Sequence, residues 1–327
     1  MYNSEYYERA TATLKERRAA AQTKAAELHE AIRTRVPRVA ELERLMAQSS
    51  SKVVDAILRG GNIEAEVERI KTENIGYQVE LAMLLRENGV ESGNFEPLYT
   101  CPLCEDTGVA NGRRCVCFDQ LLREYACVGL SEMSAMKPTS FDTMSLDYYS
   151  SKADGRTGIA PRAQMRQVIE YCRAYADNFD GRDHSLLLRG PTGVGKTHLS
   201  LAIAGTVLSK GYSVVYGPIQ QLLHRIEREH FGRSDGNTED VLQECDLLVL
   251  DDVGTEFSSS FYTSALYNII NGRLMAEKPT IISTNLNQKE LTERYGEQIA
   301  SRVTGLFMPL VCAGKDIRLQ KLKQSLE

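Results

Sequence analysis

No stretch of this 327-residue chain approaches the roughly 18 consecutive apolar residues that a membrane-spanning helix requires. Its opening residues, Met1-Tyr2-Asn3-Ser4-Glu5, are polar and lack the apolar segment of a secretory signal. A cytoplasmic protein without membrane attachment is therefore expected. Positive charge is not in excess either: 39 Lys and Arg face 44 Asp and Glu, a net charge of −5. The chain as a whole is thus no basic nucleic-acid binder, and any such contact must come from a local patch. Internal repeats and low-complexity tracts are also missing. What remains is an ordinary globular composition, 42% hydrophobic and 25% charged, long enough for about two domains.

Cysteine is present but unevenly placed. Of eight, Cys127, Cys172, Cys245 and Cys312 are scattered and read as apolar packing residues. Cys101, Cys104, Cys115 and Cys117 form one C-x2-C-x10-C-x-C segment. In a reducing compartment, two close thiol pairs in a polar segment point to metal rather than disulfides. Four thiolates can close a tetrahedral Zn²⁺ site of structural type, with Gly108 and Gly112 allowing the turn-back and Arg113 and Arg114 offsetting charge. Four reduced packing cysteines and iron–sulfur ligation are the alternatives.

Helical spacing of apolar residues predicts a helix over 4–34, shorter helical pieces after Pro37 up to Arg59, and a break at Gly60-Gly61-Asn62. A second long helix is predicted from Ile63 to Asn88, capped at Gly89. Ile63, Val67, Ile70, Tyr77, Leu81 and Leu84 form an alternating seam in which Asn74 is a polar step able to fix register. A hairpin packing on itself is favoured over an intermolecular coiled coil. From about Arg162, near-continuous apolar runs at 184–188, 213–216, 247–250 and 280–283 alternate with helical stretches. Such runs belong to a parallel sheet covered on both faces, so this half is α/β. The division expected is a helical partner-binding domain over 1–95, a zinc element over 96–130, a linker over 131–161 and an ATPase domain over 162–327.

Gly190-Pro191-Thr192-Gly193-Val194-Gly195-Lys196-Thr197 matches G-x-x-x-x-G-K-[ST] in full, between a predicted strand and a predicted helix. Glycines let backbone N–H groups converge on phosphate oxygens, and the helix N-terminus adds positive potential. Gly190, Thr192, Gly193 and Gly195 therefore build the cradle, Lys196 neutralises β- and γ-phosphate charge, and Thr197 is placed to ligate Mg²⁺. The site needs an acid at the end of a neighbouring strand. Leu247–Leu250 followed by Asp251 and Asp252 supplies it, Asp251 toward the Mg²⁺ and Asp252 to polarise the attacking water.

The P-loop, Asp251-Asp252, Ser283-Thr284-Asn285 and the later arginines resemble the AAA+ ATPases. Within them, residues from about 139 to 320 are similar to the bacterial replicative helicase loaders of the DnaC/DnaI-like type and the related IstB-like transposition helpers. The stretch from Thr139-Ser140-Phe141-Asp142 to Tyr148-Tyr149 resembles that family's lead-in to the ATPase core. The resemblance implies a parallel-sheet AAA+ core with a truncated lid, ATP and Mg²⁺ as ligands, and ATP hydrolysis. Asn285 matches the sensor-1 position, which positions water or reads the γ-phosphate. Gly296-Glu297-Gln298-Ile299-Ala300-Ser301-Arg302 resembles the segment of the arginine finger. Arg302 would then complete a neighbouring subunit's site, which implies a homo-oligomer. Arg318 matches the sensor-2 position in cis, while Arg273 occupies a position the family often fills with arginine, its role open.

Two departures stand out. Asp252 replaces a more usual glutamate, which suits slow hydrolysis, and nine residues after Arg318 are too few for a multi-helix lid. The leading expectation is a loader whose helices and zinc element grip a hexameric replicative helicase, and whose core binds single-stranded DNA and exchanges partners with nucleotide state. A transposition helper is the alternative, although its usual form lacks a long zinc-bearing N-terminal region. A zinc-containing nucleotide-switch adaptor with little turnover is a third.

Overall fold

The computed structural model describes residues 4–60, 62–90, 95–132, 139–155 and 158–324. Gly61 and residues 133–138, within the predicted break and the predicted linker, lie outside them. The chain divides into two compact units, one of Ala10–Asp119 and one of Met1–Arg9 with Gln120–Glu327.

The first unit is mainly helical. Helix α1 (Ser4–Arg35), which begins in the other unit, is followed by α2 (Pro37–Arg59) and α3 (Ile63–Glu87). Pro37 sits at the start of α2, where its missing N–H costs nothing. The shorter pieces expected here are one continuous helix. Its serine run survives because Ser49 Oγ and Ser51 Oγ donate back to the carbonyls of Leu45 and Gln48 at 3.2 and 2.8 Å. Asn62 caps α3 by accepting the Ala65 N–H at 3.2 Å. Helices α2 and α3 form the hairpin, tied on the surface by Arg38 and Glu80 at 2.8 Å. Its small core is Ile32, Val39, Leu85 and Val90. The seam differs in detail from the sequence reading. Ile63 is exposed, and Asn74 accepts from Gln78 one turn along the same helix at 2.9 Å, so it is a surface pair rather than a register lock.

A short hairpin follows, β1 (Val109–Ala110) against β2 (Arg113–Arg114), turned through Asn111 and Gly112 with φ of +52° and +71°. Helix α4 (Val116–Glu132) begins inside the second thiol pair. Two 3-10 turns, Phe141–Thr143 and Leu146–Tyr148, are each capped by a Ser-x-Asp step, with Ser140 accepting from Asp142 and Ser145 from Asp147.

The α/β unit then runs α5 (Pro161–Asn178), β3 (Leu186–Arg189), α6 (Lys196–Ser209), β4 (Val214–Pro218), α7 (Ile219–His230), α8 (Thr238–Glu244), β5 (Leu247–Val253), α9 (Ser260–Met275), β6 (Thr280–Thr284), α10 (Gln288–Tyr295), α11 (Glu297–Leu306), β7 (Met308–Val311) and α12 (Ile317–Gln324). The five long strands are parallel in the order β4-β5-β6-β3-β7. Leu186, Leu188, Leu247 and Val249 on these strands pack with Leu199, Ile203 and Val207 of α6 in one buried cluster. Each such side chain contributes about 1.5–3 kcal/mol by leaving water. Strand β7, absent from the sequence reading, carries Pro309 and is exposed at three of its four positions, as an edge strand permits.

Arg273 is 1% exposed and explains itself here. Its guanidinium donates to the carbonyls of Leu242, Cys245 and Pro279 at 2.7, 2.8 and 2.6 Å and to Thr280 Oγ1 at 2.9 Å. It therefore joins the entrances of β5 and β6, far from the strand ends that carry the nucleotide motifs.

Candidate functional site

The carboxyl ends of β3, β5 and β6 open on a cavity of about 510 Å³. Gly195 precedes α6 with φ of +98°, a left-handed conformation that favours glycine and aims the first helical N–H groups into the cavity. At Gly190 a Cβ would stand 2.2 Å from the Cys312 carbonyl oxygen, so only glycine allows that close approach. Thr192 and Gly193 line the same cavity.

Lys196 is 5% exposed and its Nζ donates to the carbonyls of Gly190 and Pro191, each at 2.8 Å, and to Asn285 Oδ1 at 2.5 Å. Burial pulls its pKa below the usual lysine range, against the pull of nearby anionic groups. The P-loop lysine and the residue at the end of β6 thus already meet.

Asp251 was expected on a strand neighbouring the P-loop strand. Instead β6 lies between β3 and β5, and the acid reaches across it. Three hydroxyls donate to the buried Asp251 carboxylate: Thr197 Oγ1 at 2.9 Å, Tyr216 OH at 2.8 Å and Ser283 Oγ at 2.5 Å. The convergence of Thr197 and Asp251 is an all-oxygen donor set, which suits a hard divalent cation such as Mg²⁺. Tyr216 and Ser283 in these positions were not legible beforehand, because each comes from a different strand and neither belongs to a contiguous motif. Burial and the Asp251 carboxylate push the Tyr216 phenol well above its ordinary range, so it stays a donor.

Asp252 stands at the mouth of the cavity in a left-handed backbone conformation, φ +55°, at an irregularity in the β5–β6 ladder. Such a conformation costs a non-glycine residue about 1–3 kcal/mol and tends to persist where function requires it. Removal from bulk water within the cleft, then the adjacent Asp251 charge, raise the Asp252 pKa above the usual carboxylate range.

One wall of the cavity comes from the stretch read as linker. Thr139 and Thr143 bond His198 Nε2 at 3.2 and 2.9 Å, and Tyr149 OH donates to the Val194 carbonyl at 3.0 Å. The paired Ser-x-Asp steps were the available signal for these turns. Arg318 also lines the cavity, held by Asp316 at 3.0 Å. Arg302 does not line it. It lies on α11 against α9, bonded to Asn271 Oδ1 at 3.2 Å and the Gln298 carbonyl at 3.0 Å, over the Tyr267 ring.

In the other unit the sulfur atoms of Cys101, Cys104, Cys115 and Cys117 all lie within 4.8 Å of one another. Cys101 and Cys115 are 3.8 Å apart, and Cys104 and Cys117 3.4 Å, too far for disulfides. Tetrahedral zinc with bonds of about 2.3 Å sets its sulfur atoms about 3.8 Å apart, so the donor set fits that ion. The first thiol pair is braced by buried Asp106, which accepts the Thr100 and Cys101 N–H groups at 2.8 and 2.9 Å. Burial opposes ionisation of Cys104, but the Gly108 N–H and the neighbouring thiols bring its pKa down to about 7. Arg114 pairs with Asp119 at 2.6 Å.

Comparison with known proteins adds the family. Residues 159–304 match the model of the IstB-like ATP binding proteins. The replicative helicase loader DnaC of Escherichia coli K12 is 26% identical over 188 residues, 53% of this chain and 76% of that protein. An ATP-binding protein of insertion sequence IS1162 from Pseudomonas fluorescens is 35% identical over 103 residues, 32% of this chain and 44% of that protein. A crystal structure of the DnaC helicase loader aligns with a TM-score of 0.44 at 24% identity, covering 53% of this chain and 98% of that one. Among the described residues no helix is long and apolar enough to cross a membrane. With a complete P-loop, a parallel sheet and these relatives, the chain is a DnaC-like AAA+ ATPase, related to the IstB-like ATP-binding proteins.

Proposed function

We propose that this protein loads a hexameric replicative DNA helicase, changing its hold on that partner with nucleotide state. The observation that carries the reading is the relation to the helicase loader across most of that protein's length, with the nucleotide cavity intact in the shared part. In this reading Lys196 and the P-loop amides hold the phosphates of ATP, while Thr197 and Asp251 hold Mg²⁺, which supplies charge neutralisation when bound. Asp252 orients and polarises the attacking water, Asn285 senses the γ-phosphate, and Arg318 reaches it once released from Asp316. Arg302 faces away from its own cavity, which favours service to a neighbouring subunit and hence a homo-oligomer.

The helical region over 1–95 and a structural zinc element over 96–130 are proposed to grip the helicase. Val54, Leu58, Ile75 and Met83 support this, being large apolar residues left more than half exposed on α2 and α3. Single-stranded DNA would meet the end of α7, where half-exposed Phe231 stands 5.0 Å from the His230 ring, 5.8 Å from that of Phe261, and under Arg233. Stacking faces beside guanidinium groups suit unpaired bases of any sequence. Substituting Phe231→Ala should weaken single-stranded DNA binding measured by anisotropy, and unchanged affinity would remove this surface from the reading.

The deciding experiment is co-purification of the full chain with its cognate replicative helicase, with ATP, ADP or no nucleotide. Nucleotide-dependent association is expected, and its absence ends the loader reading. A second reading, an ATP-dependent helper of a transposase, is favoured by the IstB-like match and the insertion-sequence relative. It predicts that the chain stimulates strand transfer by a transposase and ignores the helicase.

A further inference from the structure

One buried acid plays no part in the reading above. Glu256, in the loop leaving β5, is 4% exposed. Its Oε2 accepts the Gly254 N–H at 3.0 Å. Its Oε1 accepts the Tyr295 hydroxyl, and Arg294 Nε stands 3.5 Å from the same oxygen. Arg294 also donates through Nη2 to the Glu256 backbone carbonyl. Both partners sit at the end of α10, next to the Gly296 junction with α11. A carboxylate removed from water and tied to a charged donor holds its position strongly.

The turn that Glu256 closes is the one that carries Asp252. The Asp252 carbonyl accepts the Thr255 N–H at 3.2 Å and its hydroxyl at 2.8 Å, while the Asp252 N–H donates to Ser283 Oγ at 2.9 Å. Gly254, with φ of +111°, lies so close to Leu286 that a Cβ would stand 2.6 Å from it. The turn is thus pinned on the β6 side by Ser283 and Leu286, and on the α10 side by Glu256. Without the second anchor, the left-handed residue has a lower-energy backbone conformation available and little to keep it from relaxing.

We propose that Glu256 is a positioning residue for ATP hydrolysis, bracing the Asp252 turn against Tyr295 and Arg294 so that the Asp252 carboxylate stands where the attacking water must be met. This rests on the reading of Asp252 as the water-polarising group. Glu256 does not line the nucleotide cavity, so its contribution falls on turnover rather than on ATP binding.

The test compares Glu256→Gln and Tyr295→Phe with the unaltered full chain, measuring kcat and KM for ATP with Mg²⁺, equilibrium binding of a fluorescent ATP analogue, and Tm. Glu256→Gln should lower kcat about tenfold with KM and analogue affinity within about twofold, and Tyr295→Phe should lower kcat less. A kcat within about twofold of the unaltered chain in a folded Glu256→Gln protein overturns the proposal. So does a loss of nucleotide affinity as large as the loss of kcat. If Glu256→Gln does not fold, Tyr295→Phe, which removes one hydroxyl, decides in the same way. Asp252→Asn separates the two layers. Retained hydrolysis there sinks the role of Asp252 itself, whereas an inactive Asp252→Asn beside an unaffected Glu256→Gln sinks only the bracing role.

Discussion

Four consecutive residues of β5, Leu247 to Leu250, have no exposed surface, whereas α2 and α3 leave Val54, Ile57, Leu58, Ile75 and Met83 more than half exposed. The α/β unit buries both faces of its sheet and draws its order from apolar area removed from water. The helical unit has a core of only four buried apolar residues beside a cluster of thiols. A region with so small a core needs another source of order, and metal ligation is one that small folds commonly use. The contrast separates the two units by task as well: one carries every residue assigned to the nucleotide, the other the exposed apolar surface assigned to a partner.

Four substitutions can break or sharpen that contrast. Lys196→Ala should reduce ATP binding by at least about a hundredfold, since a buried ammonium facing phosphate is lost, while metal content stays unchanged. A fluorescent-nucleotide titration and metal analysis on the same sample check both halves, and intact binding would refute the P-loop assignment. Arg302→Ala should lower kcat about a thousandfold and abolish cooperativity with ATP affinity spared. Lost affinity would instead move Arg302 into its own subunit's site. Arg273→Met strips the donors from several buried carbonyls and should cost about 3–5 kcal/mol, read as a fall in the urea midpoint. An unchanged midpoint would mean water replaces the guanidinium. Smallest for the ATPase is Cys104→Ser, which should release the metal and expose residues 10–119 to protease while ATP turnover stays within about twofold. A parallel fall in turnover would show that the units are not separate.

Legibility in the sequence followed contiguity. The P-loop, Asp251 with Asp252, and Asn285 each sit in an unbroken stretch beside an apolar run, and the structure gathers Lys196, Thr197, Asp251 and Asn285 at one cavity. The thiol cluster was readable for the same reason. Tyr216 and Ser283 were not, because their meaning exists only once β4, β5 and β6 lie side by side. The wall from Thr139 to Tyr149 was polar enough to pass for connection, and β7 was half exposed and interrupted by Pro309. Continuity of α2 depended on serine hydroxyls satisfying their own helix, which composition alone does not reveal. Arg302 was found through resemblance, and Arg273 acquired a role only when its carbonyl partners came into view.

Arg273 also constrains how this molecule can move. By joining the loop before β5 to the first residues of β6, it forbids shear between the two strands whose far ends carry Asp251 and Asn285. Those two groups must then travel as one rigid plate when nucleotide enters or leaves. Whatever displacement the phosphates drive has to be absorbed past the strand ends, in the short loops and the α10–α11 pair, so the sheet serves as the anvil and the periphery as the moving part.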